Sequence, residues 1–109
     1  MSIETSNYIE IRIISLLLFA IDLKKEVSIT NVNFVLINQI SRTINSLYRI
    51  YEETRWIKQK EDLASVMSDF RRKAKEVRYW VGILKKSNND KFYKLIDELE
   101  GRIMKVEFY

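Results

Sequence analysis

The chain is 109 residues long, 47% apolar and 31% charged, with a formal net charge of +4. That composition supports one domain with one core and lies far from that of disordered chains. It contains no His, Pro or Cys, and its only glycines are Gly82 and Gly101. These absences exclude zinc sites, thiol nucleophiles, Ser-His-Asp triads, redox pairs and Gly-rich phosphate loops. Two Gly and no Pro also cannot supply the turns of a many-stranded sheet, so long helices with few connections are expected.

The first helix is expected over about residues 3–26. Its apolar run from Ile13 to Ile21 is bounded by Arg12 and Asp22 and is about half the ~20 residues needed to span a bilayer. Glu4 and Glu10 stand where a signal peptide would carry basic residues, so neither export nor a membrane segment is expected and the reading is cytoplasmic. Tyr8, Ile9, Ile11, Ile13, Ile14 and the run Leu16–Ile21 occupy more than one face of this helix. One intramolecular neighbour cannot bury them all, which points to a homo-oligomer or a larger bundle.

Ser28, Thr30 and Asn31 offer N-caps for a second helix over about 31–54, whose apolar stripe is Ile37, Ile40, Ile44, Leu47 and Tyr51. A strand over Val27–Ile37 is the local competitor, but the three-four spacing favours helix. The third helix, about 59–86, has a seam of Leu63, Val66, Phe70, Ala74, Val77, Val81 and Leu84. Ser87-Asn88-Asn89-Asp90 ends it. A fourth helix over about 90–107, capped by Asp90, carries Phe92, Leu95, Leu99, Ile103 and Val106. Short connections between four such helices predict an all-α, antiparallel up-down-up-down four-helix bundle, with residues 1–109 forming a single domain.

Leu36, Gln39, Ile40, Arg42, Ser46 and Leu47 fit the pattern L-x-x-Q-[IL]-x-R-x-x-x-S-[IL], with Glu53 six residues on. Asp62-Leu63 lies near the start of helix three, and Glu76, Arg78, Tyr79, Trp80, Val81 and Leu84 fit E-x-[RQ]-[YF]-W-[LV]-x-x-L at its end. Over roughly residues 34–106 the chain resembles the bacterial four-helix-bundle family of large-subunit (23S) rRNA intervening-sequence proteins. It also resembles the related accessory proteins of diversity-generating retroelement reverse transcriptases. The Pro, Asn and Gly that the family carries at the end of helix two are replaced here within Tyr48–Thr54, and the Pro-rich start of helix two by Val27–Thr30, as in a divergent member. The resemblance implies an antiparallel bundle, often assembled as a ring-shaped homopentamer, with a basic surface suited to nucleic acid. It implies no catalytic site.

Charge is unevenly distributed: residues 1–54 hold 5 Lys/Arg against 6 Asp/Glu, and residues 55–109 hold 14 against 9. Arg71, Arg72, Lys75, Arg78, Lys85 and Lys86 form a basic flank of helix three, away from its seam, expected to contact the phosphates of RNA or DNA without sequence preference. The competing reading is a solvated face whose cations pair with acids such as Glu76 or Asp97. Tyr79 and Trp80 offer stacking surfaces, although a core or subunit-interface role fits Trp80 better. Gly82 costs about 1 kcal/mol within a helix and suggests close approach by another backbone, so Tyr79, Trp80 and Gly82 are expected at an interface. Gln39, Arg42, Ser46 and Glu53 make a polar row, with Arg42 expected to pair with a carboxylate such as Glu76. Adjacent acids such as Glu52-Glu53 diverge by about 100° on a helix and make no metal clamp. The expectation is a non-enzymatic nucleic-acid-binding oligomer without metal, cofactor or small-molecule substrate, with a reverse transcriptase or ribonucleoprotein as the partner. The alternative is a structural protein-interaction module.

Overall fold

The computed structural model describes residues 3–88 and 91–107. Four helices are present among them: α1 (Ile3–Val27), α2 (Asn31–Glu53), α3 (Lys60–Lys86) and α4 (Tyr93–Glu107). No strand occurs among the described residues, so the helical reading of Val27–Ile37 holds. α1 packs against α2, α2 against α3, α3 against α4 and α4 against α1, whereas the backbones of the diagonal pairs stay apart among the described residues. α1 and α3 therefore occupy opposite corners.

One apolar cluster joins all four helices. α2 contributes the expected Ile37, Ile40, Ile44, Leu47 and Tyr51, joined by Leu36. α1 contributes Ile9, Ile13, Leu16, Ala20, Leu23 and Val27. From α3 come Phe70, Ala74, Val77, Val81 and Leu84. Leu63 and Val66 are only partly buried. The reason is length: α3 has 27 residues and α4 has 15. The last turn of α4 reaches the level of Phe70, where Val106 and Glu107 line a small cavity with Met67, and the first turns of α3 extend beyond it.

The stripe of α4 is Ile96, Leu99, Ile103 and Val106, extended by Phe92 just before the helix, while Leu95 is exposed. Leu95 and Ile96 fit the phase of the other four positions equally well, and the packing of α4 against α1 and α3 turns Ile96 inward. The helix begins at Tyr93 rather than near residue 90. The expected cap Asp90 lies outside the described residues.

The turn between α1 and α2 behaves as its residues suggest. Thr30 takes an extended backbone, and its Oγ1 accepts a hydrogen bond from the Asn33 amide at 3.1 Å. Asn33 is the buried surprise. Its Nδ2 donates to the Val27 carbonyl and to Asn88 Oδ1, each at 2.7 Å. Asn88 Nδ2 in turn donates to Asn33 Oδ1 and to the Leu84 carbonyl, each at 2.8 Å. Two amides thus satisfy each other and the last carbonyls of two helices, joining α1, α2 and α3 at one place.

Replacing Asn33 by Ala leaves the part-buried Asn88 amide with only the Leu84 carbonyl as partner, with an expected loss of about 1–3 kcal/mol. Asn88→Ala has a similar effect. The double variant should cost less than the two single losses combined, with a coupling of about 0.5–3 kcal/mol in urea unfolding; simple additivity would show that the clasp does not act as a unit.

Candidate nucleic-acid interface

Core burial fixes the rotation of α3, and its basic residues divide into two rows. Arg71, Arg78 and Lys85 recur every seven residues and lie towards α4. Arg72, Lys75, Tyr79 and Lys86 lie on the side opposite the core.

The row facing α4 meets a matching row of acids. Lys85 Nζ lies 2.9 Å from Asp97 Oδ1 and 3.2 Å from Glu100 Oε1, and 4.7 Å from the Tyr93 ring centroid. Hydrogen bonds to Asp97 and then to Glu100 hold the Lys85 ammonium pKa well above the ordinary lysine value. Arg78 Nη1 lies 3.3 Å from Glu107 Oε2, whose side chain is 1% exposed. The Glu107 oxygens receive no hydrogen bond of good geometry, so the nearby charge of Arg78 is what compensates for the burial of this carboxylate. Arg78 and Lys85 therefore tie α3 to α4, and the structure places them beside acids of α4 rather than on the fully outward side of the basic flank.

The outward row is different. Lys75 and Lys86 are exposed and have no ion-pair partner among the described residues, and the same holds for Arg71 at the margin. Arg72 pairs with Asp69 at 2.7 Å, but both side chains are open to water, where such a pair contributes little. Tyr79 is 62% exposed between these cations. Its ring meets Trp80 edge-on at 5.4 Å, and Trp80 packs partly buried against the core. Trp80 is therefore the anchor and Tyr79 the accessible ring.

Among the described residues nothing lies within 4 Å of where a Cβ would sit on Gly82, so none of them makes the close approach expected there. Arg42 is exposed and forms no ion pair with Glu76, which binds Lys73 at 2.9 Å instead. Arg42 turns outward because Ile40, Thr43, Ile44 and Leu47 set the inward phase of α2. The rest of the polar row is local: Gln39 Nε2 reaches Thr43 Oγ1 at 3.5 Å, and Ser46 Oγ donates to the Arg42 carbonyl at 3.2 Å.

A second polar cluster, not anticipated from spacing, joins α1 to the end of α2. The Tyr48 hydroxyl donates to Glu10 Oε1 at 3.0 Å, and Arg55 binds Glu10 Oε2. Hydrogen bonding to Glu52 and Glu10 pushes the Tyr48 phenol up to about 12. The acids opposite Arg78 and Lys85 did leave a signal in the sequence, since Glu100 and Glu107 repeat at the same seven-residue interval. The Tyr48 cluster left none, because Glu10, on which it centres, is 38 residues from Tyr48 and 45 from Arg55.

Comparison of the chain with protein-family models, curated proteins and solved structures gives no match in any of the three.

Two outcomes follow. Arg78→Met removes the cation that the buried Glu107 carboxylate is paired with, leaving only Arg71 at the edge of the same cavity, and should cost about 2–3 kcal/mol in thermal or urea unfolding, with recovery in the Arg78→Met, Glu107→Leu double variant. Tyr48 is more easily ionised in the unfolded chain than in the folded one. Its contribution to stability is therefore complete below about pH 10 and lost as pH rises through about 12. Tyrosinate absorbance of the folded protein should show a step near pH 12 that Tyr48→Phe removes; an unchanged titration would contradict the assignment.

Proposed function

We propose that this chain is a non-enzymatic, homo-oligomeric, antiparallel up-down-up-down four-helix bundle that binds RNA or DNA through the outward face of α3. The observation that carries the binding role is the outward row Arg72, Lys75, Tyr79 and Lys86, which the fold leaves to solvent while Arg78 and Lys85 are engaged by α4. The row spans about 21 Å at ~1.5 Å per residue. Three or four cations along such a line contact phosphates without reading sequence, and an exposed Tyr among them offers a ring on which an unpaired base stacks.

The antiparallel order is supported by which ends are joined. Glu10 near the start of α1 meets Tyr48 and Arg55 at the end of α2. Asn33 at the start of α2 meets Asn88 just past α3. Lys85 near the end of α3 meets Asp97 early in α4, and Arg12 donates to the Lys105 carbonyl at 3.1 Å.

Self-association is supported by α1. Ile11 (64% exposed), Ile14, Leu18 (57% exposed) and Ile21 remain open to water. They lie on the corner opposite α3, so an assembly using α1 leaves the basic face free. The same stripe also supports the second reading, a module that docks another protein and has no nucleic-acid role. The resemblance over residues 34–106 suggests the setting, an accessory subunit of a bacterial reverse transcriptase or ribonucleoprotein in the cytoplasm. Among the described residues, no helix is long and apolar enough to cross a membrane.

Fluorescence anisotropy with single-stranded and duplex RNA and DNA tests the proposal. With about three phosphate contacts, log affinity should fall against log salt with a slope of about −2 to −3. Lys75→Glu with Lys86→Glu should weaken binding at least tenfold at low salt and flatten the slope while leaving unfolding unchanged, since neither residue is paired. Tyr79→Ala should weaken single strands more than duplex. Absence of binding at low ionic strength, or binding indifferent to the double charge reversal, leaves the protein-docking reading in its place.

A further inference from the structure

Gly82 lies on the outward side of α3, well inside the helix. A glycine there is less favourable than Ala, and the usual compensation is a neighbour that a Cβ would strike. Among the described residues no atom comes within 4 Å of the Cβ position, so that compensation is missing. What surrounds the gap is charge and one aromatic ring. Residues three and four positions apart are neighbours on a helix surface, and for Gly82 these include Arg78, Tyr79, Lys85 and Lys86. The gap therefore separates the column Arg72, Tyr79, Lys86 from the column Arg71, Arg78, Lys85, each repeating every seven residues.

Helical side chains lean towards the N-terminus, so a side chain at position 82 would lie over the turn that holds Arg78 and Tyr79. Its absence leaves the near side of the Tyr79 ring uncovered. On the other flank stands Trp80, packed against the core, whose ring meets Tyr79 at 5.4 Å with 73° between the planes. A near-perpendicular contact steadies the Tyr79 ring and takes up at most one of its faces, and the residue stays 62% exposed. We propose that this notch seats one unpaired base of a single-stranded nucleic acid, stacked on the Tyr79 ring over the bare backbone of Gly82, with phosphates of the same strand on Lys86 and Lys75. The seat rests on the nucleic-acid reading above and names the residue of that face that separates single strands from duplex. Every base has a π-face, so the seat is tolerant of sequence. A base within a duplex is already stacked and paired, and taking it out costs free energy, so a duplex meets the cations and leaves the notch empty. Gly101 is the internal comparison. It is equally open, but its neighbours three and four positions away are Asp97, Glu98, Met104 and Lys105, with no aromatic ring among them.

Fluorescence anisotropy with labelled oligo-dT, alone and paired with oligo-dA of the same length, tests the seat alongside thermal unfolding of each variant. Gly82→Ala and Gly101→Ala should each raise Tm by about 4–8 °C, because a methyl group placed in open space gains helix propensity without a clash. Gly101→Ala should leave both affinities unchanged. Gly82→Leu should weaken the single strand at least about tenfold, the share of one stacked base, and the duplex less than about twofold. Tyr79→Ala added to Gly82→Leu should weaken the single strand no further, since both substitutions remove the same stacked base. A single-strand affinity untouched by Gly82→Leu, or a loss equal for single strand and duplex, overturns the seat and leaves the nucleic-acid reading standing. A lower Tm for Gly82→Ala, or an altered oligomeric mass in light scattering, shows that Gly82 meets a second chain and also overturns the seat. Absence of wild-type binding to both probes overturns the seat and the nucleic-acid reading together.

Discussion

When Leu16 and Ala20 of α1 turn into the core, the 3.6-residue period leaves Ile14, Leu18 and Ile21 facing water. The same rule operates at the opposite corner, where burial of Ala74, Val77 and Val81 turns Lys75, Tyr79 and Lys86 outward. The shared core thus sets the phase of every helix and determines what each corner presents. It places an apolar face on α1 and a basic face on α3, with α2 and α4 between them. Neither face competes with the other for space.

Charge divides along the same lines. The basic residues of α3 that turn towards α4 meet Asp97, Glu100 and Glu107, and those that turn away meet water. Paired cations of this kind serve register more than affinity for a ligand. Arg78 compensates a buried carboxylate whose loss of solvation is substantial, whereas the exposed Arg72–Asp69 pair contributes little. Of the six basic residues that form one flank in the sequence, the fold turns Arg72, Lys75 and Lys86 to open water and sets Arg78 and Lys85 against acids of α4.

Polar clasps fix the ends where the apolar core thins. Asn33 and Asn88 satisfy each other and the closing carbonyls of α1 and α3. Glu10, Tyr48 and Arg55 tie α1 to the end of α2. Apolar stripes alone allow helices to slide by a turn with little loss, and a buried amide pair removes that freedom because any other register leaves its donors unsatisfied.

The sequence by itself determined the four helices, the stripe of α2 position by position, and an α1 with more apolar faces than one chain can cover. Those features are local, arising from periodicity, caps and the absence of Gly and Pro. Tertiary structure decided which of two equally spaced candidates went inside, as with Ile96 over Leu95, because the phase of a short helix is set by all its neighbours together. It also left Leu63 and Val66 half open, since α4 ends before it reaches them. Which cations of α3 are bound and which are free, the solvent-facing Arg42, and the empty space around Gly82 were likewise decided by packing. A side chain's partner depends on residues far along the chain, and only the folded arrangement brings them within reach.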